Sequence, residues 1–205
     1  MVKIRIGVLG CADIALSRVI PNLRRSRKVS IAAIASRSSQ NAREWADKLG
    51  IEESYGSYDL MLSDAGIDAV YVPLPNSLHA QWSITSLEMG KHVLCEKPLA
   101  LTAEEVRRMI RTANTRGLVL MEGFMYRFHP RNRAVFEMVK GGEIGRLRSI
   151  ESSFSYVLED LDSYLLNSEL GGGSLYDVGC YCVNVSRILT GSEPAEVSGI
   201  ADFTE

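Results

Sequence analysis

Lys97 stands in Glu96-Lys97-Pro98, directly after the apolar run His92–Cys95. A run of that length reads as a buried parallel strand, and ligands of an open α/β sheet gather outside the carboxyl ends of its strands. A lysine fixed there, with a proline stiffening the backbone after it, is placed to hold a proton or a charge beside a cofactor. The alternative is an ordinary surface lysine at a strand stop. Near the other end of the chain, Asp177 and Tyr181 are four apart in a helical pattern, which puts them on one face, a turn from each other. Gly171-Gly172-Gly173 feeds that helix.

A second cluster opens the chain. Lys3–Leu9 is a β-branched run, followed by Gly10-Cys11-Ala12-Asp13-Ile14-Ala15 and a helical pattern through Arg25. Strand, tight turn and helix form the context of a dinucleotide fingerprint. Gly10 makes the turn and Ala15 allows close packing of helix on strand. The N–H groups of the first helical turn, around Asp13 and Ile14, face a pyrophosphate. Ala12 stands where the second glycine of the fingerprint falls, a substitution the backbone tolerates if φ there is negative. The strand Val29–Ala35 ends in Ser36-Arg37-Ser38, where an NAD site would offer a carboxylate to the ribose 2′-hydroxyl. A hydroxyl and a guanidinium suit a 2′-phosphate, so the sequence points to NADP (NADPH) over NAD. A solvated loop at Arg37 is the alternative.

The elements that position these residues follow from periodicity and breakers. Gln40–Leu49 reads as a helix stopped by Gly50, and Tyr58–Ser63 as a shorter one. Asp68–Val72 is a buried strand opening into Pro73-Leu74-Pro75-Asn76, a stiff connection that brings Leu74 and Asn76 to the same carboxyl end. Ser77 is placed to cap the next helix. That helix carries His79, either in the cofactor site with Glu96 and Lys97 or as a structural hydrogen-bonder. Thr102 and Glu105 form a capping box for a helix with Val106, Met109, Ile110 and Ala113 on one side and Gly117 as its stop. Leu118–Glu122 completes an alternation that argues a doubly wound parallel sheet. From Gly123 the pattern changes to a helix at Pro130–Lys140, an alternating antiparallel strand at Leu147–Val157, an acidic loop, the helix Asp177–Leu189 and a further strand at Glu196–Phe203. The fold class is therefore α/β, a Rossmann domain over 1–122 followed by an α/β domain over 123–205 with an open, mainly antiparallel sheet.

Composition narrows the function classes. Over 205 residues the net charge is −2 with charged residues at 23%, evenly mixed, so no basic field for nucleic acid or polybasic membrane patch is present. No run approaches the length of a membrane span, and Met1-Val2-Lys3 leads into a strand without a secretory segment. Cys11, Cys95, Cys180 and Cys182 lack metal spacing and read as reduced thiols of a cytoplasmic protein without a metal site.

Together these residues resemble the glucose–fructose oxidoreductase / inositol dehydrogenase (Gfo/Idh/MocA) family. The matching segments are the Gly10–Ala15 turn, VPLPNSLH at Val72–His79, GKHVLCEKPL at Gly90–Leu99, YRFHP at Tyr126–Pro130 and GGGSLYDVGCY at Gly171–Tyr181. GCADIA, AIASR and VYVPLP look most like the branch with NADPH-dependent 3-ketoreductases of nucleotide-linked deoxysugars; YRFHP and DVGCY are also similar to dihydrodiol and xylose dehydrogenases. The resemblance implies an NADP-dependent oxidoreductase acting on a sugar or sugar-like alcohol or ketone, its active site between the two domains. Lys97 is then the EKP lysine, Tyr181 the acid–base residue and Asp177 the holder of a neighbouring sugar hydroxyl, while Arg127 contacts substrate or nicotinamide or makes a structural ion pair. A tyrosine has a pKa of about 10, and an adjacent ammonium favours phenolate and lowers it. Family members are longer than this chain, so the second sheet is expected to be cut short, and homo-oligomers to form through it. A non-catalytic NADP-binding regulatory relative is the alternative function.

Overall fold

The computed structural model describes residues 3–203; Met1, Val2, Thr204 and Glu205, on which the readings of the chain's start and stop rest, lie outside the described residues. The chain divides into two compact units. One contains the residues up to Gly123 together with Asp160–Asp177; the other contains Phe124–Glu159 and the residues from Val178 onward. The acidic loop and the triple glycine thus pack with the first unit, although in sequence they follow the change of pattern at Gly123.

The first unit is a six-stranded parallel sheet in the order β3-β2-β1-β4-β5-β6, with β1 at Ile4–Leu9, β2 at Val29–Ala35, β3 at Glu53–Tyr55, β4 at Ala69–Val72, β5 at His92–Cys95 and β6 at Leu120–Glu122. Chain order reverses between β1 and β4, which creates a crevice at the carboxyl end of the sheet. Both faces are covered, as parallel strands require. On β4, Val70 and Val72 enter one core with Met61, Leu62, Leu87 and Val93, while Tyr71 enters the other with Val8, Leu16, Ile20 and Ile34. That split is the period of two of an extended strand.

The helices follow their breakers closely. α1 (Ile20–Leu23) continues a helical stretch that begins at Asp13 and passes through a π-turn at Ala15–Val19. α2 (Ser39–Leu49) is capped by Ser38 and ended by left-handed Gly50, and α3 (Tyr58–Leu62) is capped by Ser57. α4 (His79–Glu88) has no side-chain cap: Ser77 lies inside a 3₁₀ turn, Asn76–Leu78, and does not serve as expected. Pro75 sets the chain into that turn one step earlier, so the helix start is shifted past Ser77. α5 (Ala103–Arg116) carries the full Thr102/Glu105 capping box and stops at left-handed Gly117.

In the second unit, α6 (Pro130–Lys140) and α7 (Cys180–Thr190) pack on each other. A π-turn at Leu175–Gly179 leads into α7. Among the described residues no strand is present after Glu122, so Leu147–Val157 and Glu196–Phe203 are irregular where strands were expected. Alternation supplies a face, but a strand exists only when a neighbouring backbone accepts its hydrogen bonds. Phe154, Val157, Val197, Ile200 and Phe203 are accordingly exposed.

Candidate active site

The turn after β1 is built on Gly10. Gly10 has φ 97°, and a Cβ there would lie 2.9 Å from Leu74 Cδ2 and 3.6 Å from the Tyr58 hydroxyl. Glycine is therefore required twice, by backbone conformation and by the walls of the crevice. Ala12 is accommodated: among the described residues no residue other than glycine has positive φ. Asp13 and Ile14 begin the helix and are exposed, so this turn presents N–H groups that have no intrahelical acceptor. Ala15 is fully buried and supports the close packing of helix on sheet without offering surface to a ligand.

At the end of β2, Ser36 is buried and Arg37 exposed. The Ser36 hydroxyl accepts from Ser38 N at 3.3 Å and from Asn41 Nδ2 at 3.2 Å, which fixes it at the rim. Burial pushes the Cys11 thiol up, opposed by a hydrogen bond to Ser36. The Arg37 guanidinium partly opposes the upward push of burial on Tyr58. Tyr58 is a member of this rim that sequence periodicity did not single out. Ser36, Arg37 and Ser38 themselves carry no carboxylate, and their groups fit a phosphate-bearing ribose better than a bare diol.

The turn after β5 is held from every side. Glu96 Oε1 accepts from the Tyr71 hydroxyl at 2.6 Å, and Oε2 from Lys97 N at 3.2 Å. Lys97-Pro98 is a cis peptide. Leu99 N donates to Glu122 Oε1 at 2.8 Å. The His79 ring nitrogens lie 2.7 Å from Pro98 O and from Leu74 O, and the residue is 0% exposed. His79 thus lies buried between two loops with a ring nitrogen facing a carbonyl of each, the contact expected of a structural hydrogen-bonder. Burial lowers its pKa, opposed by those two carbonyls and by Glu96. Asn76 is likewise turned inward, its Nδ2 donating to Gly171 O at 2.8 Å.

The Lys97 ammonium reaches Asp177, 2.9 Å from Oδ1 and 2.5 Å from the backbone oxygen. The two residues are 80 apart in the sequence, which did not pair them, and the triple glycine explains how they meet. A Cβ on Gly171 would collide with Leu101 Cδ2 and Asn76 Cβ, and one on Gly172 with the Leu165 carbonyl. The loop thus lies flat against the sheet end, where Tyr176 donates to Leu101 O at 3.2 Å. The pair is partly shielded, each side chain 17% exposed, so it is not a solvated surface contact. Tyr164, also in this loop, has its pKa pushed up by burial and by the nearby carboxylates of Asp177 and Glu96.

In the second unit, the Tyr181 ring packs among aromatics, with Phe124 at 5.2 Å, Phe154 at 5.4 Å and Tyr126 at 5.6 Å between centroids. Tyr126 is in turn fixed by donating to Asn184 Oδ1 at 2.6 Å. The Phe124 contact is edge-on at 82° and the other two are tilted at 53° and 56°, so the phenol's position is set by its aromatic neighbours. Arg127 is exposed and lines a cavity of about 350 Å³ with Asn184, Arg187 and Glu193, the last two joined as an ion pair. Among the described residues no group of three or more His, Cys, Asp or Glu could hold a metal ion, and no helix is long and apolar enough to cross a membrane.

The strand order and the turn after β1 define a Rossmann dinucleotide-binding fold. Residues 4–124 match the family model described as an oxidoreductase family with an NAD-binding Rossmann fold, and residues 132–205 match the GFO/IDH/MocA C-terminal domain. The chain belongs to the Gfo/Idh/MocA family of oxidoreductases. It is 45% identical over 187 residues to D-xylose 1-dehydrogenase (NADP(+)) 2 of Haloferax volcanii, covering 91% of this chain and 57% of that one. It is 42% identical over 190 residues to dTDP-3,4-didehydro-2,6-dideoxy-alpha-D-glucose 3-reductase of Streptomyces violaceoruber, covering 93% and 55%. Among solved structures, a 3-ketoreductase of Actinomadura kijaniata in complex with NADP and TDP-benzene superposes with a TM-score of 0.86 at 40% identity, covering 92% of this chain and 57% of that chain. The chain thus spans little more than half the length of these relatives.

Proposed function

We propose that this protein is an NADP-dependent oxidoreductase that interconverts an alcohol and a carbonyl on a sugar or sugar-like substrate. The observation that carries the reading is the partly shielded Lys97–Asp177 pair at the carboxyl end of the parallel sheet. The Gly10 turn and the Ser36-Arg37 rim fit the pyrophosphate and the 2′-phosphate of NADP, which when bound supplies or accepts the hydride. Names of the relatives support a sugar substrate: one oxidises a pentose and the other reduces a keto group of a nucleotide-linked deoxysugar. Reduction of such a 3-keto sugar is the finer assignment, and it is the first substrate to try.

In this reading Tyr181 gives a proton to the carbonyl oxygen during reduction and takes it back during oxidation. Lys97 lends positive charge that favours the phenolate and eases that exchange. Asp177 holds Lys97 in place and accepts from a neighbouring sugar hydroxyl. Arg127 contacts the substrate. A homo-oligomer formed through the second unit belongs to the same proposal.

Calorimetric binding of NADPH and NADH to the wild type and to Arg37→Asp tests the cofactor. The wild type is expected to prefer NADPH, and the charge reversal to cut NADPH affinity by about 10- to 100-fold, the worth of a charge-assisted hydrogen bond lost. Equal binding of both cofactors by the wild type would overturn the NADP assignment. Binding without turnover of any sugar ketone or alcohol would favour a regulatory relative over an enzyme.

A further inference from the structure

Tyr71 is 1% exposed and is the largest fully buried side chain among the described residues. It sits in an apolar cluster with Ile6, Val8, Leu16, Ile20 and Ile34, where a phenylalanine would pack as well. Its hydroxyl therefore needs an explanation that core packing does not provide. In the β4–β5 ladder Tyr71 is paired with Leu94. Glu96 comes two residues after Leu94, on the same face and diagonal to Tyr71, within reach of a long aromatic side chain. The hydroxyl donates to Glu96 Oε1 at 2.6 Å, while Oε2 of the same carboxylate accepts from Lys97 N at 3.2 Å. A buried group on the sheet is thereby linked, through one carboxylate, to the backbone of the lysine.

We infer that Tyr71 is a positioning residue that, through Glu96, sets the backbone from which Lys97 reaches Asp177. The inference rests on the reading of Lys97 as part of the active site. The Tyr71 phenol is suited to the task because burial and the Glu96 charge push its pKa up, so it remains a donor. Held by Tyr71, the carboxylate keeps one oxygen for the Lys97 N–H. Released, it can rotate toward the Lys97 ammonium and compete with Asp177 for it. Misplacing a reacting group by about 1 Å can cost up to about 100-fold in rate, so a partial release should cost about tenfold.

The test is a double-mutant cycle on Tyr71→Phe and Glu96→Gln, with Lys97→Ala alongside. Each variant is read by kcat and KM on a turned-over sugar substrate and by amide hydrogen exchange of Glu96, Lys97 and Leu99, the N–H-bearing residues of 96–99, in the ligand-free protein. Tyr71→Phe is expected to lower kcat about tenfold with KM little changed, and to speed exchange at 96–99 while the β4 and β5 amides keep their protection. The double variant is expected to be no worse than Glu96→Gln alone. Tyr71→Phe with wild-type kcat and wild-type exchange at 96–99 would overturn the inference, as would additive losses in the cycle. Should Tyr71→Phe fail to fold, Glu96→Gln must show the same kcat and exchange changes, and normal values there count against the brace. Full activity in Lys97→Ala would overturn the active-site reading itself, whereas faster exchange in Tyr71→Phe would still report the brace in that case.

Discussion

The turns after β1 and after β5 leave the same end of one parallel sheet and are built in opposite ways. The first is a backbone device. Gly10 is confined by its φ and by Leu74, and the residues that follow it, Asp13 and Ile14, are open to solvent. The second is a side-chain device. Tyr71, His79 and Glu122 come from β4, α4 and β6 to hold the backbone of residues 96–99, and Asp177 takes the charged end of Lys97. The contrast matches the two tasks proposed for these turns. A turn that binds phosphate must leave N–H groups without partners, whereas a turn that presents one charge must leave that charge a single position.

The largest effect that separates the two turns is expected from Lys97→Ala. Loss of a group that assists proton transfer should lower turnover by about 10²- to 10⁴-fold, with NADPH affinity nearly unchanged. A parallel loss of cofactor binding, measured by calorimetry, would mean that the β5 turn also builds the cofactor site. Gly10→Ala should do the reverse. Strain of about 1–3 kcal/mol at a φ that alanine rarely adopts should lower the unfolding free energy and weaken NADPH binding together. Chemical denaturation and calorimetry on the same preparation would show whether the two losses travel together. Unchanged NADPH affinity in that variant would break the assignment of the β1 turn to phosphate.

The smallest effect concerns pH. Burial lowers the His79 pKa in the folded protein, while the unfolded chain takes up that proton near pH ~6.5. The unfolded state then binds more protons, so the contribution of neutral His79, which donates to only one of its two carbonyl neighbours, is present above that pH and is lost as pH falls from there through the lowered folded-state value. Unfolding midpoints measured from about pH 7 down to about pH 5 should decline more steeply in the wild type than in His79→Gln. Identical slopes would mean that His79 is not the group whose burial couples the β5 turn to pH.

Much of the first unit was legible in the residues. The breakers Gly50 and Gly117, the Thr102/Glu105 box and the β-branched runs acted locally, and local signals are what a linear pattern carries. The Gly10 turn and the EKP lysine were legible for the same reason. The second unit was less so. Phe154 and Tyr156 alternate with polar neighbours as a strand residue should, yet no ladder forms there, because pairing depends on a partner that the segment itself does not contain.

By itself, then, the sequence determined a parallel α/β unit, the glycine turn after β1, and the residue types Lys97, Asp177 and Tyr181, all from short-range spacing and a family resemblance. Tertiary structure alone decided which partner each polar group took. It turned His79 and Asn76 inward onto carbonyls, joined Lys97 to Asp177, and carried Tyr71 to Glu96. Hydrogen bonds and ion pairs between residues distant in sequence are fixed by sheet register and loop packing. No periodicity within a single element records them.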